Sequence, residues 1–364
     1  MNVFSERCAA AQRLMSASAI HAILVGASAD MRYLSGYAAH PTERATLFVV
    51  PRHGDPFMVI PSFESPRLGP NPWFPVCPWR ETEDPIELVT QRLGTQAPLH
   101  LAMGDRTWAG FLLRLQAALP TARWTSATPL LRQLRMIKRP DEMAALRQAG
   151  AAVDDVFRTL LGLRWTGQSE RQIADIIAAA MRDRGCEEVD FTIVASGPNG
   201  ASGHHVACDR IIEHGDTVVL DYGGPFGGGY YADITRTVVV GNPSPEVRTV
   251  YDTVRAAQEA GVQAVRPGIA CQDVDAAARQ VITKAGYGEF FNHRTGHGIG
   301  LDDHEEPYIV AGNDLPLAPG MAFSVEPGIY LPGRFGVRIE DIVICQQEGA
   351  ERLNHCTRDL QVVH

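Results

Sequence analysis

Two acidic residues, Asp221 and Asp233, lie in a stretch whose pattern is typical of a β-hairpin. The stretch TVVLDYGGPFGGGYYADITRTVVV, residues 217–240, has two β-branched runs on either side of a glycine-rich turn. If the turn is centred on Gly227, Asp221 faces Asp233 directly across the two strands, with Cβ atoms roughly 5 Å apart. Like charges this close need a shared proton or a bound cation. The spacing therefore favours a metal ion between the two carboxylates.

A second hairpin is predicted over residues 323–345, where FSVEPGIY and GVRIEDIVIC flank the turn LPGRF. Centring this turn on Gly333 sets Glu326 opposite Glu340. One acidic pair could belong to a solvated face, but two pairs with mirrored geometry indicate a shared metal cluster. The segment HRTGHGIGLDDHEEP, residues 293–307, lies between the hairpins and could add an imidazole ligand.

The predicted ligand set indicates hydrolytic chemistry. Carboxylate oxygens with one imidazole suit divalent ions such as Mn²⁺, Co²⁺, Zn²⁺ or Fe²⁺, and the absence of cysteine from the set argues against a structural zinc site. Two such ions a few ångströms apart can share one water, lower its pKa towards neutrality and supply a hydroxide nucleophile. The same ions can polarise a carbonyl group, so amide hydrolysis is the expected reaction.

Five phrases of the chain, in this order, resemble a known site: LDYGG, YADITRT, GHGIGLDDHEEP, VEPGIY and RIED. They are similar to the five-ligand dinuclear metal site of the pita-bread peptidases. That family comprises methionine aminopeptidases, Xaa-Pro aminopeptidases, Xaa-Pro dipeptidases (prolidases) and the metal-free creatinases. The resemblance covers nearly all of the segment from about residue 140 to 364. It implies two divalent ions per chain.

The resemblance also implies a role for each ligand. Asp233 and Glu340 would bridge the two metals, while Asp221 would complete one ion. His297 and Glu326 would complete the other. Glu326 stands where the family uses a carboxylate to accept the proton of the attacking water and to deliver it to the leaving nitrogen.

Two further histidines correspond to family residues. The loop SGPNGASGHHVACDR, residues 196–210, resembles the loop that places a histidine beside the scissile bond. Gly203 stands where the family has proline, so His204 and His205 are both candidates, and we favour His204. His304, in DDHEEP, corresponds to the histidine that hydrogen-bonds the substrate and the developing oxyanion.

Four other polar residues are expected near the cluster. His293 lies in the glycine-rich segment, where no regular helix is expected, and is predicted to line the pocket or to support a ligand. Arg338 shares a strand face with Glu340 by alternation, and would steady the carboxylates or bind substrate. Tyr230 and Thr235, on the first hairpin, are predicted either to support the ligands or to pack within the strand.

The first 135 residues read as a separate small domain, since 364 residues suit two domains. Helix and strand patterns alternate over 1–135: a first helix, short strands at HAILVG, MRYLSGY, TLFVVP and PFMVIP, a helix over 84–94, the strand LHLAMG and a helix over 107–119. This order predicts an α/β domain with a largely buried sheet. The phrase DMRYLSGY resembles the start of the N-terminal domain of prolidases and Xaa-Pro aminopeptidases.

Residues 136–364 form the second predicted domain. Helices are expected over 140–163, 169–184, 244–265 and 272–285, the first of them beginning at Pro140 and two acids. The strand DFTIVAS leads into the first hairpin. One helix pair therefore precedes the first hairpin and another precedes the histidine segment. The family resemblance implies an α+β pita-bread domain with pseudo-symmetric halves around a curved antiparallel sheet.

Composition excludes several classes of partner. The chain has 33 Lys and Arg against 42 Asp and Glu, a net charge of −9, which argues against nucleic acid or an anionic membrane. No signal-peptide pattern and no apolar run of membrane-spanning length are visible. The seven cysteines are scattered without a C-x-x-C spacing, so free thiols and a cytoplasmic location are expected.

The substrate class follows from the resemblance. Because the five ligands are intact, a creatinase is disfavoured, and the N-terminal domain argues against a simple methionine aminopeptidase. A peptidase that cleaves before proline remains. The expected partners are proline-containing dipeptides or short peptides. The alternatives left open are an Xaa-Pro aminopeptidase, a non-peptidase hydrolase acting on a small amidine or cyclic amide, and an inactive metal-binding module.

A dipeptidase must also bind the free carboxylate beyond proline, for which arginine or histidine is suited. The loop AAHPTERATLF, residues 38–48, offers His40 and Arg44. In prolidase-like dimers a loop of this domain reaches the neighbouring active site. We therefore expect a homodimer in which Arg44, with His40, binds that carboxylate, the alternative being a solvated loop.

Overall fold

The computed structural model describes residues 2–94 and 98–364. The chain divides into two compact units, Met1–Arg135 and Met136–His364. None of the helices in these described residues is long and apolar enough to span a membrane.

The first unit contains one six-stranded mixed sheet with the order β4-β3-β2-β1-β5-β6. Its strands are β1 (Ala22–Val25), β2 (Leu47–Pro51), β3 (Phe57–Pro61), β4 (Val76–Trp79), β5 (His100–Met103) and β6 (Arg123–Ser126). Its helices are α1 (Val3–Ala17), α2 (Ala29–Ser35), α3 (Pro85–Leu93), α4 (Ala109–Ala118) and α5 (Thr128–Arg135). Leu24, Val49 and Leu101 of the sheet share a core with Val89 of α3 and Leu115 of α4, as expected for an α/β layer.

One predicted strand of this unit is wrong. Residues 31–35 of the segment MRYLSGY belong to helix α2, which begins after Ser28 and ends before Gly36. The Ser28 hydroxyl accepts a hydrogen bond from Met31 N at 3.4 Å, and Gly36 has a φ of 83°. Serine at the start and a left-handed glycine at the end are ordinary helix caps. These caps favour a helix, although the apolar residues of the segment are also compatible with a strand.

The second unit has two halves of similar construction. The first half consists of α6 (Pro140–Leu160), α7 (Glu170–Asp183), β7 (Phe191–Ser196), β8 (Thr217–Phe226) and β9 (Tyr230–Val240). The second consists of α8 (Pro245–Ala264), α9 (Cys271–Lys284), β10 (Gly296–Gly298), β11 (Glu305–Ile309), β12 (Ala322–Val325), β13 (Gly328–Leu331), β14 (Phe335–Arg338), β15 (Asp341–Gln346) and β16 (Gly349–Arg352). A last strand, β17 (Gln361–Val363), pairs with β9, so the sheets are β17-β9-β8-β7, β11-β10-β12-β15-β16 and the pair β13-β14. Each half thus begins with two helices and continues into antiparallel strands, in agreement with the predicted pita-bread fold.

Helices α6 and α7 cover one face of the sheet that contains β8 and β9. In the first half, Leu220 and Tyr222 of β8 join the core formed with Phe157 of α6 and Ile177 of α7. Side chains alternate along a strand, so Asp221, between those two residues, points to the opposite face. The hydrophobic core thereby fixes the direction of a predicted metal ligand.

The register of the first hairpin differs from the prediction. Asp221 pairs with Thr235, and Gly223 pairs with Asp233, so the two aspartates are diagonal neighbours on one face. The cause is the turn, in which Gly228 and Gly229 both have positive φ, 80° and 84°, and which is therefore centred one residue beyond Gly227. Diagonal neighbours remain within reach of one cluster.

In the second hairpin the flanking pairs agree with the predicted register. Val325 pairs with Asp341, and Gly328 pairs with Arg338. Continued between these pairs, the same register sets Glu326 level with Glu340. The hairpin is interrupted there, because β12 and β15 belong to one sheet while β13 and β14 form another.

Candidate metal centre and its pocket

A cavity of about 380 Å³ in the second unit collects most of the predicted site residues. Its lining includes all five predicted metal ligands: Asp221, Asp233, His297, Glu326 and Glu340. It also includes four of the other predicted residues: His204, His293, His304 and Arg338. The volume is in the range of small-molecule sites in proteins.

Three of the ligands lie close together in the cavity. Candidate ligand atoms of Asp233, His297 and Glu340 all lie within 4.8 Å of one another, and the three residues are buried. His297 Nε2 lies 3.6 Å from Asp233 Oδ2 and 3.3 Å from Glu326 Oε1. The imidazole therefore stands between carboxylates of both hairpins.

The His297 ring is held in the tautomer that a metal ligand needs. Its Nδ1 lies 3.1 Å from the Gly298 carbonyl oxygen, which can only accept, so Nδ1 carries the proton. The Nε2 lone pair is then directed towards the carboxylates. Burial and the neighbouring His304 lower the pKa of His297 to about 3, which keeps the ring neutral.

The carboxylates fit a cation. Burial raises the pKa of Asp233 well above its usual range, and repulsion from Glu340 adds to the effect. Burial likewise raises the pKa of Glu340, and there the added repulsion comes from Glu326. Burial also raises the pKa of Glu326 to about 7. In the part of the chain that the structure describes, the buried oxygens Asp221 Oδ1, Asp233 Oδ1 and Glu340 Oε1 have no hydrogen-bond partner. Buried acceptors that remain unpaired are expected where a metal ion binds, so these residues fit divalent ions.

Arg338 and Thr235 orient two of the carboxylates. The guanidinium of Arg338 donates to Asp221 Oδ2 at 2.6 Å, to Thr235 Oγ1 at 3.0 Å and to the Tyr330 hydroxyl at 2.7 Å. The Thr235 hydroxyl in turn donates to Glu340 Oε2 at 2.7 Å. One buried arginine is thus connected to a carboxylate of each hairpin. Arg338 and Thr235 therefore lie where residues that orient the metal ligands were predicted.

The geometry distinguishes His204 from His205. His205 Nε2 lies 2.7 Å from Glu170 Oε2, whereas His204 lines the cavity. Glu170 is buried and also accepts hydrogen bonds from Ser196 Oγ at 2.7 Å and from Asn199 Nδ2 at 3.0 Å. It therefore binds the loop through residues that precede His204 and through His205, which follows it. Because His205 is held against this carboxylate, His204 is the histidine available to a ligand.

Glu170 was missed at the sequence level. It opens helix α7, where an acidic residue is ordinarily explained by the helix dipole. Its hydrogen-bonding partners lie 26 to 38 positions further along the chain. Only the folded loop shows that this residue is the support of the His204 segment.

His304 lies against the metal ligands. Its ring centroid is 3.8 Å from that of His297. Arg294 Nη2 donates to His304 Nδ1 at 2.8 Å, which leaves the proton of the neutral ring on Nε2. Arg294 also lies over the Tyr308 ring, 4.5 Å from its centroid. Arg294 stands within HRTGHG, where the histidines and glycines are the stronger signals.

His293 lies on the cavity wall as a neutral ring. Its Nδ1 donates to the Arg294 carbonyl at 2.7 Å, and its Nε2 accepts from the Tyr330 hydroxyl at 2.9 Å. Burial, with a smaller contribution from Arg338, lowers the pKa of His293 to about 4. The predicted pocket position is therefore observed, together with a supporting contact to Tyr330.

Four predicted residues do not line this cavity: Thr235, whose contacts are described above, and Tyr230, His40 and Arg44. Tyr230 donates to Glu142 Oε1 at 2.8 Å and packs on the cluster formed by Ile299 and its neighbours, which matches its alternative as a packing residue. His40 and Arg44 line a small separate cavity in the first unit. There Arg44 Nε donates to Glu81 at 2.6 Å, and a second nitrogen contacts Glu43.

Family models match both units of the chain. Residues 144–347 match the model of metallopeptidase family M24, and residues 7–137 match that of the creatinase/prolidase N-terminal domain. The first match alone spans more than half of the chain.

Similar proteins extend over almost the whole length. A probable dipeptidase PepE of Mycobacterium tuberculosis H37Rv is 45% identical over 365 residues, which cover 99% of this chain and 97% of the relative. A crystal structure of prolidase from Thermococcus sibiricus is 38% identical, with a TM-score of 0.95 over 100% of both chains. An X-Pro aminopeptidase from Thermotoga maritima is 32% identical, with a TM-score of 0.86 over 96% of this chain and 98% of that one.

Proposed function

The chain belongs to metallopeptidase family M24, and on this premise we propose that it is an Xaa-Pro dipeptidase that uses two divalent cations. The observation that carries the proposal is a set of four carboxylates and one neutral imidazole that line a single cavity, with the imidazole and three of the carboxylates buried. The names of the mycobacterial dipeptidase and the archaeal prolidase support a dipeptide substrate.

The cations would be held by the five residues of the predicted set: Asp221, Asp233, His297, Glu326 and Glu340. Mn²⁺, Co²⁺ and Zn²⁺ all accept such oxygen and imidazole ligands. When bound, the pair supplies a water of lowered pKa and polarises the scissile carbonyl.

The chain's own side chains would handle protons and developing charge. Glu326, beside His297, accepts the proton of the attacking water and passes it to the proline nitrogen, and its Oε1 is held by the Ser324 hydroxyl at 3.0 Å. His304, with its proton on Nε2, donates to the carbonyl oxygen as negative charge develops. His204 lies on the cavity wall and positions the peptide. The proline nitrogen gains a proton as the C–N bond breaks, and Glu326 supplies the proton that it took from the water.

Arg294 is the cavity residue best placed to bind the free carboxylate of a dipeptide. The guanidinium of Arg338 is engaged with Asp221 and Tyr330, whereas Arg294 donates to the uncharged His304 ring. The charge of Arg294 is therefore available for a bidentate contact with a substrate carboxylate. Arg44 contributed by a second subunit, as the family resemblance implies, is the competing candidate, and it requires a homodimer.

The second candidate function is an Xaa-Pro aminopeptidase, which the similarity to the Thermotoga enzyme favours. Hydrolysis of Ala-Pro and of Ala-Pro-Ala separates the two activities. The assay uses metal-stripped protein reloaded with Mn²⁺, Co²⁺ or Zn²⁺, and Asp233→Ala serves as the inactive control. Cleavage of Ala-Pro with little cleavage of the tripeptide is the expected result.

Efficient cleavage of Ala-Pro-Ala would instead assign the aminopeptidase activity. Binding of metal without cleavage of either peptide would contradict both peptidase assignments and return attention to an amidine or cyclic amide hydrolase. Size-exclusion chromatography with light scattering on the same sample tests the homodimer.

A further inference from the structure

Asp303 is a cavity residue with no place in the chemistry described above. It lines the same cavity as the metal ligands, but it is not one of the five. One carboxylate oxygen, Oδ2, lies 3.5 Å from His304 Nε2. The other, Oδ1, is buried and has no hydrogen-bond partner within the described ranges 2–94 and 98–364. A buried carboxylate oxygen left unpaired is unfavourable, so Asp303 offers a cationic ligand a ready partner.

Two apolar side chains line the same cavity as Asp303. Phe191 and Ile193 line the cavity from strand β7, where Ile193 pairs with the ligand Asp221 and Phe191 pairs with Gly223. A side chain at position 223 would collide with the Phe191 ring, because a Cβ built there lies 2.7 Å from Phe191 Cζ. The glycine therefore lets the aromatic ring lie over the strand, beside the metal ligands.

Charges of opposite sign contact the two nitrogens of the His304 ring. Arg294 donates to Nδ1 at 2.8 Å, and the Asp303 carboxylate faces Nε2. Because these nitrogens lie on different edges of the ring, the cavity presents a cation on one side of His304 and an anion on the other. A dipeptide carries a carboxylate at one end and cationic groups at the other, which matches this arrangement.

We propose that the Asp303 carboxylate binds a cationic group of the substrate residue that precedes proline. The inference rests on the proposed function. Two groups have the required chemistry: the α-ammonium, which every dipeptide carries, and the side chain of lysine or arginine. Phe191 and Ile193 suit the methylene stem of a long basic side chain, so the enzyme should prefer Lys-Pro and Arg-Pro.

The test compares Lys-Pro with norleucine-Pro, which has a similar stem and no side-chain charge. Metal-loaded wild-type protein is measured beside Asp303→Asn, which removes the charge and keeps the shape. Asp314→Asn, at an exposed position, is the matched control. Wild type should favour Lys-Pro in kcat/KM by roughly 10-fold or more, as expected for a charge-assisted hydrogen bond, and Asp303→Asn should abolish the preference while Asp314→Asn keeps it.

Other outcomes are equally informative. An equal rise in KM for both dipeptides in Asp303→Asn, with kcat unchanged, assigns the contact to the α-ammonium and supports the proposal. An equal fall in kcat alone overturns it, because that result marks a disturbed His304. Identical kinetics in wild type and Asp303→Asn also overturn it. Failure of the wild type to cleave either dipeptide, or Ala-Pro, contradicts the proposed function and not only this inference.

Discussion

Arg338 donates from Nη2 to Asp221 Oδ2 at 2.6 Å, and this contact joins the second hairpin to the first. Both side chains are nearly inaccessible to solvent, with exposures of 4% and 12%. Removal of one partner would leave a buried charge unpaired, which is strongly unfavourable. The contact therefore fixes the orientation of a candidate ligand more firmly than a surface ion pair could.

Arg338→Lys should lower metal affinity and kcat/KM by roughly 10- to 100-fold, as is common for residues that orient metal ligands. A lysine ammonium is a single point charge and cannot reach Asp221, Thr235 and Tyr330 together. The measurements are metal content after dialysis and kcat/KM on Ala-Pro. Arg334→Lys is the control, since Arg334 lies on the turn of the same hairpin and is 51% exposed. Equal metal retention in both variants would refute the orienting role.

His204→Ala should lower kcat/KM on Ala-Pro by roughly 100-fold or more if His204 contacts the substrate. His205→Ala should have a smaller effect on activity and should lower the melting temperature, because it removes a partner of the buried Glu170 carboxylate. Steady-state kinetics and thermal unfolding of the two variants give the comparison. The reverse pattern would assign the active-site role to His205.

Arg294→Ala should raise KM for Ala-Pro but leave KM for Ala-Pro amide nearly unchanged, because the amide has no terminal carboxylate to bind. Arg44→Ala tests the competing residue with the same two substrates. A rise in the KM of Ala-Pro confined to Arg44→Ala would show that the first unit supplies the contact. The loss expected at the correct arginine is roughly 10- to 100-fold in kcat/KM, as for a charged hydrogen bond.

Metal-free protein should lose stability as pH rises from about 4.5 to 7. Burial raises the pKa of Glu326 from 4.5 to about 7, and it also raises the pKa of Asp233 and Glu340. These three carboxylates outnumber the two buried histidines, His293 and His297, whose lowered pKa acts in the opposite direction, so the folded state binds more protons than the unfolded state across this window. The free energy of unfolding is then highest below about pH 4.5 and declines as Glu326 ionises in the folded protein. Calorimetry of chelator-treated protein at pH 5 and pH 8 should show a melting temperature several degrees lower at pH 8. Saturating Mn²⁺ should remove most of this slope, and a metal-free protein that gains stability at pH 8 would contradict the argument.

Sequence reasoning located the metal-binding phrases because those ligands stand in short motifs with strong strand and turn signals. It placed Asp221 and Asp233 in the wrong register, because one additional positive-φ glycine moves the centre of the turn by one residue. The helix α2 was read as a strand, although Ser28 and Gly36 carry the cap signals. Local patterns thus predicted most helices and strands. The errors arose where the geometry of a turn determined the register or the caps determined the type of element.

Residues that act through distant partners could not be found in this way. Glu170 supports a loop that follows it by 26 to 38 positions, and nothing at position 170 marks that contact. Arg294 and Asp303 stand inside a motif that was read for its histidines. Their relation to His304 depends on how the segment folds over β10 and β11, which neither spacing nor composition specifies.

The diagonal placement of Asp221 and Asp233 has a consequence for how this family can vary. Strand side chains alternate with a period of two, so insertion of a single residue between Asp233 and Thr235 would turn one of them to the opposite face. Insertions at Gly228 and Gly229 lengthen the turn and leave both strands paired as before. Natural relatives should therefore differ in turn length while keeping the strand segments free of insertions and deletions.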